Sequence, residues 1–360
     1  MHFVHELLPQ RVRFATGDAA GGVKAEVELL GAQRVMVIAA HAGEAVDQIA
    51  SGLPTALRFD EVVMHVPVEV AERARAAALA HQADAVVSVG GGSATGLAKA
   101  VALTTGLPTV AVPTTYAGSE ATAVWGLTEA GRKTTGVDPR VLPRAIVYDA
   151  TLLRTLSAAM SVSSGLNALA HCVDSLWAPR ADPINAVYAT EGARALNEGL
   201  PRVARDPGDL AGIENALYGA YLAATAFASA GSGLHHKICH VLGGKYNLPH
   251  AQTHATVLPY VLALNAPSAP QAEARLANAF GTATALEGLQ HLRQTLGAPR
   301  ALRDYGMQWS DIPAAVEEIT AVVPPSNPEP VTAVDIAALL YAAWAGRRPD
   351  DPDLVRAGGR

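Results

Sequence analysis

Cysteine is scarce: the 360-residue chain has two, Cys172 and Cys239, both in apolar sequence. Such a pair builds no disulfide framework of the kind that holds small secreted domains, and a reduced, buried thiol is the simpler reading of each. Aromatic residues make up only 5% and charged residues 17%. The net charge of -6, from 27 basic and 33 acidic side chains, offers no basic surface for nucleic acid or membrane phosphates. No apolar run reaches the length of a bilayer span, and the opening MHFVHELLPQRVRF lacks both a long apolar core and a small-residue cleavage pattern. A cytoplasmic protein is therefore expected. Hydrophobic residues, at 50%, supply enough material for two domains with their own cores.

Up to about Pro143 and Asp149, short β-branched runs alternate with alanine-rich helical patterns. Strands are expected at Arg34–Ala39, Ala85–Val89, Thr109–Val112 and Ala145–Tyr148, and helices at Val68–His81 and Ala94–Leu103. Such alternation implies parallel strands joined by helical crossovers. Beyond Thr151 strand-like runs almost vanish, and helical patterns follow one another: Asn185–Leu196, Asn215–Ser229, Ala272–Phe280 and Val334–Trp344. The expected division is an α/β domain over 1–155, a helical domain over 156–346, and a charged tail over 347–360 that is poorly ordered.

The strand at Ala85–Val89 runs straight into Gly90, Gly91, Gly92 and Ser93, and a helical pattern starts at once. Glycines at a strand-to-helix turn let the backbone approach a pyrophosphate, held by exposed N–H groups and the positive helix end. The run does not follow GxGxxG, and a tight turn alone would explain it equally well. A second turn, PTTYAGSE, ends the next strand and offers Thr114, Thr115, Gly118 and Ser119 for phosphate or ribose oxygens, although helix capping can use the same hydroxyls. Two such turns on neighbouring strands favour a dinucleotide. After the first strand the chain reads Ala39-Ala40-His41-Ala42, with no carboxylate to repel a 2′-phosphate, so NADH and NADPH are both compatible. Arg132 and Lys133 either meet phosphate or form a solvated hairpin tip.

Five of the twelve histidines lie in GLHHKICHVLGGKYNLPHAQTHA: His235, His236, His240, His250 and His254. A sixth, His171, stands four residues after Asn167, and His240 four after His236, so each pair shares a helix face. A cluster of this density binds a divalent metal or handles protons beside a substrate; scattered surface histidines are the plainer alternative.

VGGGS, PTTYAGSE, SGLNALAH and HHKICHVLGGKYNLPHAQTHA, in this order, resemble the iron-containing alcohol dehydrogenase family over nearly the whole chain apart from the tail. The resemblance implies a dehydroquinate synthase-like architecture. Its parts would be an α/β N-terminal dinucleotide-binding domain, with a parallel sheet and flanking helices, an all-α C-terminal domain, and an active site in the cleft between them. It implies a homodimer as well. The ligands of metal-dependent members, an Asp and three His, carry over to Asn167, His171, His236 and His250. Asn167 is a neutral amide at the one anionic position, which weakens a hard divalent cation. His240 carries over as an active-site histidine near nicotinamide and substrate.

VMHVPVE, GGGSATGLAKA, WGLTEAGRKTTGVDPRVLPR and NLPHAQTHATVLPY resemble one branch of that family. Its members use NADH or NADPH to reduce the carbon–carbon double bond of a small dicarboxylate, maleylacetate, to 3-oxoadipate in bacterial breakdown of aromatic rings, with no required metal. On that reading His240 donates the proton, while His236, Lys237, His171 and His250 polarise the ketone oxygen or hold carboxylates. His254, one turn beyond His250, faces the same region; Tyr116 and Tyr246 are outer hydroxyl candidates. Two alternatives stay open: a metal-dependent alcohol dehydrogenase or hydroxyacid:oxoacid enzyme with iron or zinc at His171, His236 and His250, and an inactive nucleotide-binding scaffold.

Overall fold

The protein is described by a computed structural model over residues 1–40, 43–129 and 132–350, without the side chains of Arg132 and Lys133. The expectation for the tail falls mainly on residues outside that description. So do His41 and Ala42 after the first strand, and the two basic side chains of the GRKTTG turn. Two compact units are present. One comprises Leu7–Leu156 with Pro207–Leu217, and the other Met1–Glu6, Ser157–Asp206 and the described chain from Tyr218 onward.

The first unit contains strands β1 (Arg11–Phe14), β2 (Val35–Ala39), β3 (Thr55–Phe59), β4 (Ala85–Gly90), β5 (Thr109–Pro113), β6 (Val124–Glu129), β7 (Arg132–Val137) and β8 (Ala145–Tyr148). Between them lie helices α1 (Ala19–Leu30), α2 (Glu44–Ser51), α3 (Val68–Ala80) and α4 (Gly92–Thr105). Six strands form a parallel sheet in the order β1-β8-β5-β4-β2-β3, and β6 and β7 pair separately as an antiparallel hairpin. The sheet with its flanking helices is the fold class the alternation implied.

Apolar runs in β2, β4 and β5 are buried throughout because both sheet faces are covered. Alternate residues go to opposite cores. Val35, Val37, Val87 and Val110 pack with Val23 and Val27 of α1. Met36, Ile38 and Val86 pack with Ala71 and Ala74 of α3 and Leu97 and Val101 of α4. The edge strand β1 is held by charge instead: buried Glu26 of α1 accepts from Arg11 Nε at 2.9 Å and Arg13 Nη2 at 2.8 Å. Burial pushes the Glu26 carboxyl up, but the two guanidinium groups outweigh it and hold it below its usual value. The strand order reverses between β2 and β4, and ligands of open parallel sheets bind beyond the carboxyl ends of strands at such a point.

The remaining helices are α5 (Ala158–Ser175), α6 (Pro183–Arg205), α7 (Leu210–Ala230), α8 (Leu234–Tyr246), α9 (His250–Asn265), α10 (Pro270–Phe280), α11 (Ala285–Thr295), α12 (Ile312–Ala321) and α13 (Ala333–Ala345). In the second unit α5 is buried over nearly its whole length and packs on α6, α8 and α9. A core of Leu234, Ile238 and Leu242 from α8, Val257 and Val261 from α9, and Leu340 from α13 fixes the two helices that carry most of the histidines. Among the described residues, no helix is long and apolar enough to cross a membrane.

Helices α6 and α7 meet backbone to backbone through Gly192 and Gly219. A methyl group on Gly219 would come within 2.9 Å of the Gly192 carbonyl oxygen and 2.8 Å of Leu196 Cγ. Gly219→Ala is expected to destabilise the fold by about 1–3 kcal/mol through overpacking, measured as a lower urea midpoint with unchanged slope.

Candidate active site

In the sheet unit the two glycine- and hydroxyl-rich turns lie against each other. β4 ends at Gly90, whose φ of 152° suits glycine, and a Cβ there would stand 2.8 Å from the Ala94 methyl. Thr114 N donates to the Gly90 carbonyl at 3.0 Å, and a Cβ on Gly91 would meet Thr115 Cγ2 at 2.9 Å. Gly90, Gly91, Gly92 and Ser93 thus sit beside Thr114 and Thr115 at the N-terminus of α4, next to the reversal in strand order. Gly118, with φ 75°, leads into a short 3-10 helix over Ser119–Ala121. Unpaired N–H groups at the start of α4 make this end suited to a phosphate.

Lys99, which the sequence reading passed over, ties the second turn down. It lies on α4, fully buried, and its Nζ donates to the carbonyl oxygens of Ser119 at 2.6 Å, Thr122 at 2.8 Å and Val124 at 2.7 Å. Three acceptors match the three protons of an ammonium. Burial pulls the group down to about 7, with Glu120 opposing, and Tyr148 Oη donates to Glu120 Oε1 at 2.8 Å. A lone lysine in the apolar run GLAKAVAL was the available signal.

In the helical unit, Asn167, His171 and Asp174 recur at four- and three-residue spacing along α5, so they share a face, and all three are buried. The rings of His171 and His236 stack, with centroids 4.9 Å apart and planes 14° from parallel, and Phe227 lies 4.4 Å from His236. His236 is also 4.9 Å from His254, 5.2 Å from His235 and 6.1 Å from His240, while His250 is 4.3 Å from His254. The structure therefore gathers all six histidines. Lys237 is half-buried beside them, and His240 and His250 are exposed. Tyr246 Oη donates to the Asp311 carbonyl at 3.1 Å, which commits its proton, and Tyr116 is buried in the other unit.

Asp174 is the second residue the sequence reading missed, although its place one turn after His171 in LNALAHCVD marked it. Its carboxylate accepts from His236 Nδ1 at 2.7 Å, Gly233 N at 2.9 Å, His236 N and Trp177 Nε1 at 3.3 Å, and His235 N at 3.4 Å. Burial pushes the carboxyl up, while the five N–H groups aimed at its two oxygens favour the charged form. Burial also drives His171, His236 and His254 well below the usual histidine value and His235 down to about 3, so these rings are neutral at pH 7.

Asn167 Oδ1, His171 Nδ1 and His236 Nε2 are buried and have no hydrogen-bond partner among the described residues. Such atoms call for a ligand or water, yet the donors fit the family's iron poorly. The amide at 167 leaves the set without an anion. Ligand atoms about 2.1 Å from one ion lie at most about 4.2 Å apart. Among the described residues, the group of ligand atoms that gathers within 4.8 Å is not His171, His236 and His250 but His235, Cys239 and His254. That trio is a hydrogen-bonded pair with a thiol beside it. His235 Nε2 lies 3.0 Å from His254 Nδ1 and 3.7 Å from Cys239 Sγ, and burial pushes the thiol well above its usual value.

The chain matches two family models: iron-containing alcohol dehydrogenase over residues 9–150, and the C-terminal region of the Fe-containing alcohol dehydrogenase family over 161–344. It is 42% identical to a maleylacetate reductase from Delftia acidovorans, over 97% of this chain and 99% of that one. Among crystal structures, it is similar to an iron-containing alcohol dehydrogenase from Corynebacterium glutamicum, with 60% identity and a TM-score of 0.95 over 97% and 98% of the two chains. It is also similar to a maleylacetate reductase from a Rhizobium strain, with 44% identity and a TM-score of 0.91 over 97% and 99%.

Replacing Lys99 by methionine removes a donor from three carbonyl oxygens, of which that of Ser119 keeps Thr122 N at 3.3 Å. Lys99→Met is expected to cost about 2 kcal/mol or more in urea unfolding, since each unsatisfied buried acceptor costs roughly 1–3 kcal/mol.

Proposed function

Because the chain belongs to the iron-containing alcohol dehydrogenase family and is an oxidoreductase, we propose that it is a cytoplasmic maleylacetate reductase using NADH or NADPH without a bound metal. The observation that carries this reading is a neutral amide, Asn167, buried on the α5 face that also bears His171, beside the histidine cluster. Ala39 and Ala40, closing β2, bring no carboxylate against a 2′-phosphate, so both dinucleotides are accepted.

Maleylacetate carries an alkene conjugated to a ketone, with a carboxylate at each end. Hydride from the nicotinamide adds to the alkene carbon β to the ketone, the π electrons move onto the ketone oxygen as an enolate, and a proton then closes the carbon next to the ketone. The oxygen needs a hydrogen-bond donor or cation, and the carbon needs an acid. Neutral buried imidazoles are poor acids. His240 lies exposed at the edge of the cluster, where an imidazole can exchange a proton with water, so it is the donor. Lys237 supplies the cation for the enolate or a carboxylate.

NADH consumption is measured with maleylacetate, using protein stripped by a chelator and the same protein resupplied with zinc or iron. Full activity without metal is expected, whereas activity only after resupply would return Asn167 to the role of ligand. His240→Asn is expected to lower kcat by about 10²- to 10⁴-fold, with little change in KM for NADH in steady-state assays.

A further inference from the structure

The carboxylate of Asp174 does two things at once. It accepts the N–H groups of Gly233, His235 and His236 at the start of α8, where the helix's positive end favours an anion. The approach is so close that a Cβ on Gly233 would lie 2.3 Å from Asp174 Oδ1, so this position admits glycine alone. It also faces His236 Nδ1 at 2.7 Å, and the ring packs against both His171 and Phe227.

Both oxygens of Asp174 already accept from N–H groups that can only donate, so the ring nitrogen facing it at 2.7 Å is taken as N–H too. In a neutral imidazole the other nitrogen is then a bare lone pair. That nitrogen, Nε2, is buried and without a hydrogen-bond partner among the described residues. We infer that Asp174 is a positioning residue: it fixes His236 as the Nδ1–H tautomer and presents the Nε2 lone pair to the site as an acceptor. His236 therefore takes a hydrogen bond, from a bound water or from a ligand hydroxyl or enol, and delivers no proton to an enolate. This narrows the roles open to the cluster, since His236 joins Asn167 Oδ1 as an acceptor and leaves the set of proton donors. The inference rests on the reading of this cluster as the reaction site.

The test is the ¹⁵N spectrum of the full chain labelled at histidine, recorded without substrate, with the His236 signals identified by their loss in His236→Gln. The native protein is expected to show Nδ1 protonated and Nε2 bare. Asp174→Leu, which removes the acceptor, is expected to bring in the Nε2–H form. It should also lower kcat with maleylacetate by about 10²-fold while leaving KM for NADH within about twofold. If the leucine variant does not fold, Asp174→Asn keeps one acceptor oxygen for the helix and is expected to show a mixture of the two ring forms. A native ring protonated at Nε2 overturns the inference. So does a folded variant whose ring form and kcat match the native protein. Because the spectrum needs no substrate, a protein that shows this ring form yet leaves maleylacetate unreduced contradicts the proposed reaction and not the role of Asp174.

Discussion

A single buried carboxylate organises the helical half of this protein. Asp174 leaves water entirely, a cost that only a full set of donors can offset, and it receives one: three backbone N–H groups from the start of α8, the indole of Trp177 and an imidazole. Through those bonds α5 fixes both the beginning of α8 and the rotation of the His236 ring. His236 in turn stacks on His171, and His254 and His235 close around them. Removing the carboxylate would unsatisfy a helix end and release a ring in the same stroke.

The sheet unit uses the same device with the sign reversed. Lys99 is a buried cation met by backbone carbonyl oxygens, as Asp174 is a buried anion met by backbone N–H groups. Each spends charge to pin a segment that has little apolar surface of its own: the Ser119–Val124 turn in one unit, the glycine-led start of α8 in the other. In both places the neighbouring residues are those that chemistry would use. Buried ion–backbone contacts hold position more tightly than apolar packing, because an amide or carbonyl accepts only a narrow range of distance and angle.

Much of this was legible in the sequence. Val35–Ala39, Ala85–Gly90, Thr109–Pro113 and Ala145–Tyr148 read as strands because parallel strands covered on both faces leave continuous β-branched runs. β1 and β3 escaped for the same reason in reverse: they lie at the sheet edges, half-buried, and β1 is held by Arg11 and Arg13 rather than by apolar residues. The histidines announced themselves by density, and the structure does bring them together. Asp174 and Lys99 left only faint signals, helical spacing after His171 and an apolar run around the lysine, because a lone charged residue in a helix usually faces water. Helical spacing could place Asn167 and His171 on one face, but it could not tell which nitrogen of His236 carries the proton; that depends on a residue brought in from another helix.

In the proposed reaction hydride goes to a carbon–carbon double bond rather than to a carbonyl. The most direct measurement follows the label from NADH deuterated at the transferred position into the product of maleylacetate, read by NMR. The account predicts 3-oxoadipate with its ketone intact and deuterium on the carbon between the chain and the former alkene's carboxylate, a position that does not exchange with water. Deuterium on a newly formed carbinol carbon would contradict it and make the protein a carbonyl reductase of the same fold.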